Sequence, residues 1–475
     1  MKRMNRQRVT VGLEKPTLSL SIRRVPLLFL LLAAFLFPVK PASANPFDSL
    51  ALGARSAAMA GAVTAVADDF AASLYNPAGL TGAGKMEISL GYVHAFPSLE
   101  TYWADRWHDI DEDSISGIVL GVVYPPVRFW KLEFVGGMGL FIPDRWMARS
   151  LMLPYEQPRF VLWNASNQRV VLLSPNAVKL TDWLSVGAGF QMLLDTKGGP
   201  RFVLIEEIPD NEGRYSEGTM SSTQKPVFSA FAGVMIEPWK DRLKVGFCFR
   251  DKVEADVDVP LLVIIDPITL GLPLEILPQS SIDMSTPAPL FFSPRQFAFG
   301  VSFRPTPRTL LAVDVTYQMW EDFLNPGPEG YSVYSGGLLF LLRQNPNFLL
   351  PQGHLHNIWV PAVGAEYLAL DTHHVQLALR AGYRYRPSPV PEQTGRAAFL
   401  DSNTHVFSGG FGLTFQNVFH TVMTQPFSLD LAVQSFHLED RTYVRDLLVA
   451  VSDRFGDLRF RGHVLSLQGT LTFRF

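Results

Sequence analysis

The side chains able to do covalent chemistry are few and scattered. The chain of 475 residues has ten histidines and one cysteine, Cys248. A weak nucleophile needs a base held beside it. His354, His356, His373 and His374 fall near predicted strand ends, and no serine and acid stand at a spacing that completes a Ser-His-acid set with any of them. A lone thiol forms no intrachain disulfide and no CxxC metal pair, so Cys248 reads as a buried thiol. No phosphate-loop, dinucleotide or metal-ligand pattern occurs. The residues predict no enzyme, no cofactor and no metal.

The chemistry on offer is charge against charge. Lys244, Arg250, Asp314, Glu366, Arg380, Arg384, Asp430 and Arg474 fall on the polar positions of stretches that otherwise alternate with apolar residues. Two uses stand open for them. They are ion-pair partners for Arg55, Asp68 and Asp69 near the N-terminus, or some of them bind a carboxylate, for which the two parallel donors of arginine are suited. Spacing alone does not separate the two.

The elements that would position these charges are long two-sided strands. Over 465–475, Leu465, Leu467, Leu471, Phe473 and Phe475 share one face, while Ser466, Gln468, Thr470, Thr472 and Arg474 share the other. A period of two places successive side chains on opposite faces of a strand. Residues 243–250, 311–319 and 375–384 repeat the pattern, and fourteen such stretches are predicted from 85 onward. They run about twice the ~5–6 residues of a soluble-protein strand and match the ~9–11 that cross a bilayer at a tilt. Short connections (125–130, 181–182, 238–241, 305–307) alternate with long ones (97–114, 143–167, 196–224, 257–292, 321–352, 439–460). That alternation marks periplasmic turns and extracellular loops, and an even strand count leaves both chain ends in the periplasm. A large β-sandwich would alternate too, but with shorter strands. The expected fold class is all-β, a transmembrane antiparallel β-barrel of about 14 strands with a small N-terminal hatch plugging its lumen.

Composition agrees. Hydrophobic residues make up 47% and charged residues 18%, below the ~25% charged of soluble domains. A mean hydropathy of +0.13 is too polar for a bundle of membrane helices. Strands that are apolar on one face reconcile the two facts. Residues 1–44 read as a signal peptide, with a basic start from Lys2 to Arg24, an uncharged run over 25–39 rich in Leu and Phe, and Ala42-Ser43-Ala44 as the cleavage site. The run is short for a span of ~20 residues and carries Pro26 and Pro38 at its ends, which disfavours an anchor. Without this leader, 33 basic residues stand against 43 acidic, a balance that argues against nucleic acid as a partner.

Residues 45–84 break the alternation and are rich in Ala and Gly. Small residues suit a confined space, whereas a flexible leader is usually more polar. The predicted organisation is signal peptide 1–44, hatch 45–84 and barrel 85–475. Within the hatch, Gly53-Ala54-Arg55, Met59-Ala60-Gly61-Ala62, Asp68-Asp69 and Asn76-Pro77-Ala78-Gly79 resemble the FadL/TodX family of outer-membrane transporters for long-chain fatty acids and other hydrophobic compounds. Pro175-Asn176-Ala177, Ala381-Gly382-Tyr383 and the terminal Phe475 extend the resemblance along the mature chain. The resemblance implies a fourteen-stranded barrel closed by a hatch. It also implies passive uptake, in which apolar extracellular loops catch the ligand, a lumen pocket receives it, and a gap at a kinked third strand releases it sideways.

Residues for these steps can be named. Leu261, Leu262 and Ile264 in loop 257–292, with Leu339, Phe340 and Leu341 in loop 321–352, form apolar runs where water is expected. Such runs mark a capture patch or pack on one another as a cap. Gly136-Gly137 in the third predicted strand is either the gap or a pair that only shapes the barrel. The expected partners are a hydrophobic small-molecule ligand, outer-membrane lipid and, through Phe475, the barrel-assembly machinery, with the protein a monomer. One alternative stands beside transport. PorV-like barrels of type nine secretion share the Gly-Ala-Arg and Asn-Pro-Ala-Gly-Leu start, and on that reading the apolar loops dock a secreted protein.

Overall fold

Period-two alternation closes on itself in three dimensions. The structure is a computed structural model that describes residues 49–475 apart from 104, 111, 131, 146–157, 164–167, 198–199, 206–214, 221–222, 266–279, 324–331, 336–354, 395–397, 417–424 and 447–455. The predicted leader lies outside the described residues.

The barrel strands are β1 (Glu87–Trp103), β2 (Ile115–Val123), β3 (Leu132–Pro143), β4 (Val171–Lys179), β5 (Leu184–Lys197), β6 (Thr223–Trp239) and β7 (Leu243–Arg250). They continue as β8 (Arg295–Thr306), β9 (Thr309–Met319), β10 (Ile358–Asp371), β11 (Val375–Arg386), β12 (Thr404–Phe415), β13 (Phe427–Tyr443) and β14 (Leu458–Arg474). Each pairs antiparallel with the next, and β1 pairs with both β2 and β14, so the fourteen close into a cylinder with no free edge. Closure removes the unpaired backbone groups that hydrocarbon could not satisfy. The seam is long, with Glu87 opposite Arg474 at one end and Tyr102 opposite Arg459 at the other.

The faces sort as the alternation requires. Along β14, Ser466, Gln468, Thr470 and Thr472 point into the bore and are buried, while Leu467 on the outer face is 43% exposed. Leu90, Phe96, Val313, Val363, Phe407 and Val433 stand outward on other strands. No described helix is long and apolar enough to cross a membrane.

Three expectations about the long connections need correction, and at 196–224 the finding is a hairpin of Pro200–Ile205 with Tyr215–Met220. Residues 97–103 continue β1 instead of looping, and pair with Arg106–Ile110 in a hairpin above the wall. The connection at 257–292 is also not irregular. Val253–Ile265 and Ser280–Ser293 pair along their length, with Ser332–Ser335 added as a third strand. The physical reason is that backbone donors and acceptors need partners, and a run such as Val257 to Ile265, rich in β-branched residues, finds them in a hairpin. Leu261, Leu262 and Ile264 therefore sit on a strand, while Leu339, Phe340 and Leu341 lie outside the described residues.

Candidate functional site

Residues 49–84 lie in the bore, and their local structure follows from small side chains and two special residues. Gly53 has a φ of 83°, a left-handed conformation that favours glycine. Its Cα also sits so close to the Phe70 ring that a Cβ would come within 2.8 Å of Cζ. The helix Ala54–Ala58 that follows has no large side chain except Arg55 and packs against β12, β13 and β14. Farther on, Asn76 caps the 3-10 helix Pro77–Gly82, its Oδ1 accepting from Ala78 N at 3.1 Å. Proline at the first position of that helix costs no hydrogen bond. The amide of Asn76 is fully used, since Nδ2 donates to Thr64 O at 3.0 Å and to Val234 O of β6 at 3.1 Å. One buried side chain thus ties two parts of the segment to each other and to the wall. Gly79 leaves room for the Ala67 carbonyl, which a Cβ would overlap.

Several of the predicted charges meet at the end of the bore where β1 begins and β14 ends. Arg55 Nη1 lies 2.6 Å from Asp68 and 3.6 Å from Asp69, and its Nε lies 3.3 Å from Glu366 of β10. Arg380 of β11 bridges Glu366 at 2.7 Å and Asp430 of β13 at 2.5 Å. Arg474 pairs with Glu87 across the seam at 2.6 Å. These groups border a polar chamber of about 290 Å³ beneath the plug. Burial alone would lower Arg55, but Asp68, Glu366 and Asp69 outweigh it and hold the guanidinium well above its usual value. Burial would raise Asp68, yet Arg55 and then Lys244 bring it below the ordinary carboxylate value. Burial keeps Asp69 above that value, with Asp68 and Asp430 adding to the rise and Arg55 opposing it.

On the opposite side of the plug, Asp314 of β9 accepts from Thr64 N at 2.7 Å, and Arg384 of β11 donates to the Ser49 carbonyl. Arg250, Arg384, Gln296, Gln318 and Tyr75 border a small cavity of about 70 Å³. Burial pushes the Tyr75 phenol up to about 12. Cys248 lines the same cavity as a buried thiol. Among the described residues, no group of three or more His, Cys, Asp or Glu is placed to hold a metal ion.

The close fit of plug to wall depends on residues that the pattern of charges did not single out. Glycines occupy inward positions where the segment passes. A Cβ on Gly246 of β7 would overlap the Thr64 carbonyl oxygen, and one on Gly233 of β6 would overlap Asn76 Oδ1. A Cβ on Gly382 would overlap the Met59–Ala60 backbone, those on Gly300 and Gly410 would come within 2.8 Å of Thr64 and Ala58, and one on Gly364 would stand 3.0 Å from Met59. The signal was in the sequence as glycine recurring on the polar face of successive strands, a face that elsewhere carries side chains.

The third strand has an interruption. The β3–β4 ladder pairs Gly136 with Asn176 and resumes only at Gly139 with Leu173. The missing pairs fall at Pro175, which has no N–H to donate. Gly137 faces inward, where a Cβ would stand 3.3 Å from Leu80 of the plug. On the outer face, Tyr124, Val127, Phe134, Gly136 and Ala188 line an apolar depression of about 620 Å³. At Gly136 and Gly137 the wall between Leu80 and that depression carries no side chain.

The family model described as outer membrane protein transport protein (OMPP1/FadL/TodX) matches residues 165–473. Among solved structures, the toluene transporter TodX of P. putida is 15% identical with a TM-score of 0.53, over 89% of this chain and 98% of its own. A FadL homologue of Pseudomonas aeruginosa is 16% identical with a TM-score of 0.52, over 89% of this chain and 97% of its own. At such identities the likeness is one of fold. Comparison with curated proteins gives no match.

Proposed function

Because the chain belongs to the OMPP1/FadL/TodX family of outer membrane transport proteins, we propose that it carries hydrophobic small molecules passively across the outer leaflet and releases them sideways into the bilayer at β3. One observation carries this reading. The axis of the barrel is filled by residues 49–84, while the wall thins to glycine backbone between Leu80 and the apolar depression of about 620 Å³ outside it. An apolar ligand leaving there never crosses the polar chamber below the plug, and a long acyl chain keeps its gain of ~0.8 kcal/mol per CH₂ in hydrocarbon. A plug shift at Leu80 would join the bore to the gap.

The small cavity above the plug refines the ligand. Two guanidinium groups, Arg250 and Arg384, border it together with Gln296, Gln318 and Asp314, whose Oδ2 accepts from Thr64 N at 2.7 Å. That lining suits an amphiphile with a carboxylate head, such as a long-chain fatty acid, whose tail would lie along the bore. The test is uptake of oleate and of toluene by cells lacking their own transporters of this kind. Ala188→Trp, which fills the depression from outside without touching the plug, is expected to slow both at least tenfold at unchanged surface expression. Uptake at the wild-type rate would remove lateral release, and wild-type protein that moves neither compound would remove transport itself.

A further inference from the structure

At the mouth opposite the start of β1 and the end of β14, two connections meet inside the bore. The β3–β4 connection supplies Arg159–Phe160 and the β11–β12 connection supplies Phe399–Leu400. They pair in parallel, Arg159 with Phe399 and Phe160 with Leu400. In the ring of fourteen strands, these two connections are rooted on nearly opposite sides. A pairing between them spans the opening.

The contact is buried on all sides. Arg159 N donates to Ala398 O at 3.1 Å, and Val161 N donates to Leu400 O at 3.3 Å. The Phe160 ring stands edge-on to Phe460 of β14 at 5.8 Å, and Trp163 edge-on to Phe436 of β13 at 5.1 Å. Phe160, Trp163 and Leu400 have no exposed surface. The guanidinium of Arg159 lies over the Phe399 ring, 4.7 Å from its centre. An ion pair fixes the far side, where Arg386 of β11 meets Asp401 at 2.9 Å with both side chains buried. Arg386 also donates to Thr404 Oγ1 at 3.0 Å, and Arg441 of β13 donates to the Asp401 carbonyl at 2.9 Å.

The bore is therefore crossed at two levels, by this bridge at the mouth and by the plug below. The two closures differ in kind. The plug is tied to the wall at many points, whereas the bridge shares two paired positions where the β1–β14 seam shares sixteen. A ligand coming from outside meets the bridge first. Its ring contacts, Phe160 on Phe460 and Trp163 on Phe436, are buried and apolar.

We propose that the Arg159–Phe160/Phe399–Leu400 bridge is an extracellular gate, which parts to admit the hydrophobic ligand onto Phe160, Trp163, Phe436 and Phe460 and re-forms above it. The buried Arg386–Asp401 pair returns the β11–β12 connection to one register, because each charge left without the other in that buried position is unfavourable. The inference rests on the transport reading, and its test separates the two.

The double variant Phe160→Cys/Leu400→Cys places two thiols at paired positions of the bridge, a separation a disulfide can span. The one native cysteine, Cys248, is buried lower in the bore. Oleate uptake by intact cells is measured before oxidation, after oxidation and after reduction, with the cross-link followed by gel mobility. Uptake at least tenfold slower when cross-linked, and restored on reduction, is expected. A cross-linked protein that takes up oleate as fast as its reduced form overturns the gate. A second variant covers the case in which the reduced double variant is itself impaired. Asp401→Asn loosens the Arg386 side and is expected to raise protease cleavage near 398–403 in intact cells several-fold and to speed uptake, and wild-type values for both overturn the gate. If the wild-type protein moves no oleate or toluene while the cross-link still forms, the transport reading fails and the gate fails with it, an outcome distinct from unimpeded uptake through a cross-linked mouth.

Discussion

The guanidinium of Arg55, carried by the plug, lies 3.3 Å from the carboxylate of Glu366, carried by the wall. The same cation holds Asp68 at 2.6 Å and Asp69 at 3.6 Å within the plug. One side chain therefore organises the plug's own acids and fastens them to the barrel. Glu366 is shared in turn with Arg380, so the wall side of the contact is pre-positioned whether or not the plug is docked.

Removing the shared cation is expected to loosen the plug without unfolding the barrel. Arg55→Ala leaves Asp68, Asp69 and Glu366 facing one another, and breaking such a part-buried pair costs up to about 3 kcal/mol. The fourteen-strand ladder does not depend on it. Planar-bilayer recordings of Arg55→Ala should show frequent open bursts where the wild type is quiet, with an unchanged shift between folded and heat-unfolded bands on a gel. A quiet Arg55→Ala channel would mean that the network is not what holds the plug.

The glycine seats make a sharper prediction, because they act by shape alone. At Gly246 a side chain would overlap the Thr64 carbonyl oxygen, and backbone cannot move aside as a flexible side chain can. Gly246→Val should displace the plug and raise conductance, whereas Gly409→Ala, whose new Cβ would meet only the Arg380 carbonyl at 3.8 Å, should behave as wild type. Equal conductance from the two variants would contradict close seating.

Acidification should act on the network in two stages. Asp69 lies above the ordinary carboxylate value because of its burial, so it takes up its proton first, and its protonated form is favoured in the docked plug. That gain is present below the ordinary value and lost as pH rises through the raised one. Asp68 is the opposite case. Arg55 overcomes the effect of its burial and holds it below 3.8. Its stabilisation is complete above 3.8 and lost as pH falls through the lowered value. Mild acid should therefore leave the channel quiet, with the plug held more firmly as the repulsion between Asp68 and Asp69 eases, and leak should appear only at still lower pH. Conductance followed from neutral to strongly acidic pH checks this, and a leak that sets in already in mild acid would contradict it.

Much of the wall was legible because a membrane strand exposes its period directly. Each of the fourteen predicted stretches coincides with a barrel strand, and the polar positions that carried Glu366, Arg380 and Asp430 do face inward. The extra length of β1, β13 and β14 was not visible, because above the lipid both faces of a strand meet water or protein and the alternation fades, as it does over Glu439 to Tyr443. The pairing of Arg159–Phe160 with Phe399–Leu400 was beyond reach for a different reason. It joins residues about half the chain apart through two paired positions, and nothing local in either stretch names its partner. Glycines on the bore face were visible but read only at β3, since a missing side chain gains meaning from what fills its place.

The last prediction concerns what the ligand carries. Arg250 and Arg384 border one cavity, but they are not equivalent, because Arg384 also donates to the Ser49 carbonyl and so helps hold the plug's first residues. Replacing Arg384 would mix a ligand effect with a plug effect. Arg250, at the upper end of β7, borders the same cavity and is the position to change. Arg250→Gln keeps a polar, hydrogen-bonding side chain, shorter than arginine, while removing the charge. A carboxylate head bound there loses a charge-assisted hydrogen bond, worth about 1.5–3 kcal/mol, or roughly tenfold to a hundredfold in affinity. Toluene has no head group and should pass unchanged. Oleate uptake falling by that factor at limiting concentration, with toluene uptake constant, is the expected result. A parallel fall in both would show that Arg250 shapes the bore, and no fall in either would leave the cavity as a structural pocket and place fatty acids outside what this protein selects.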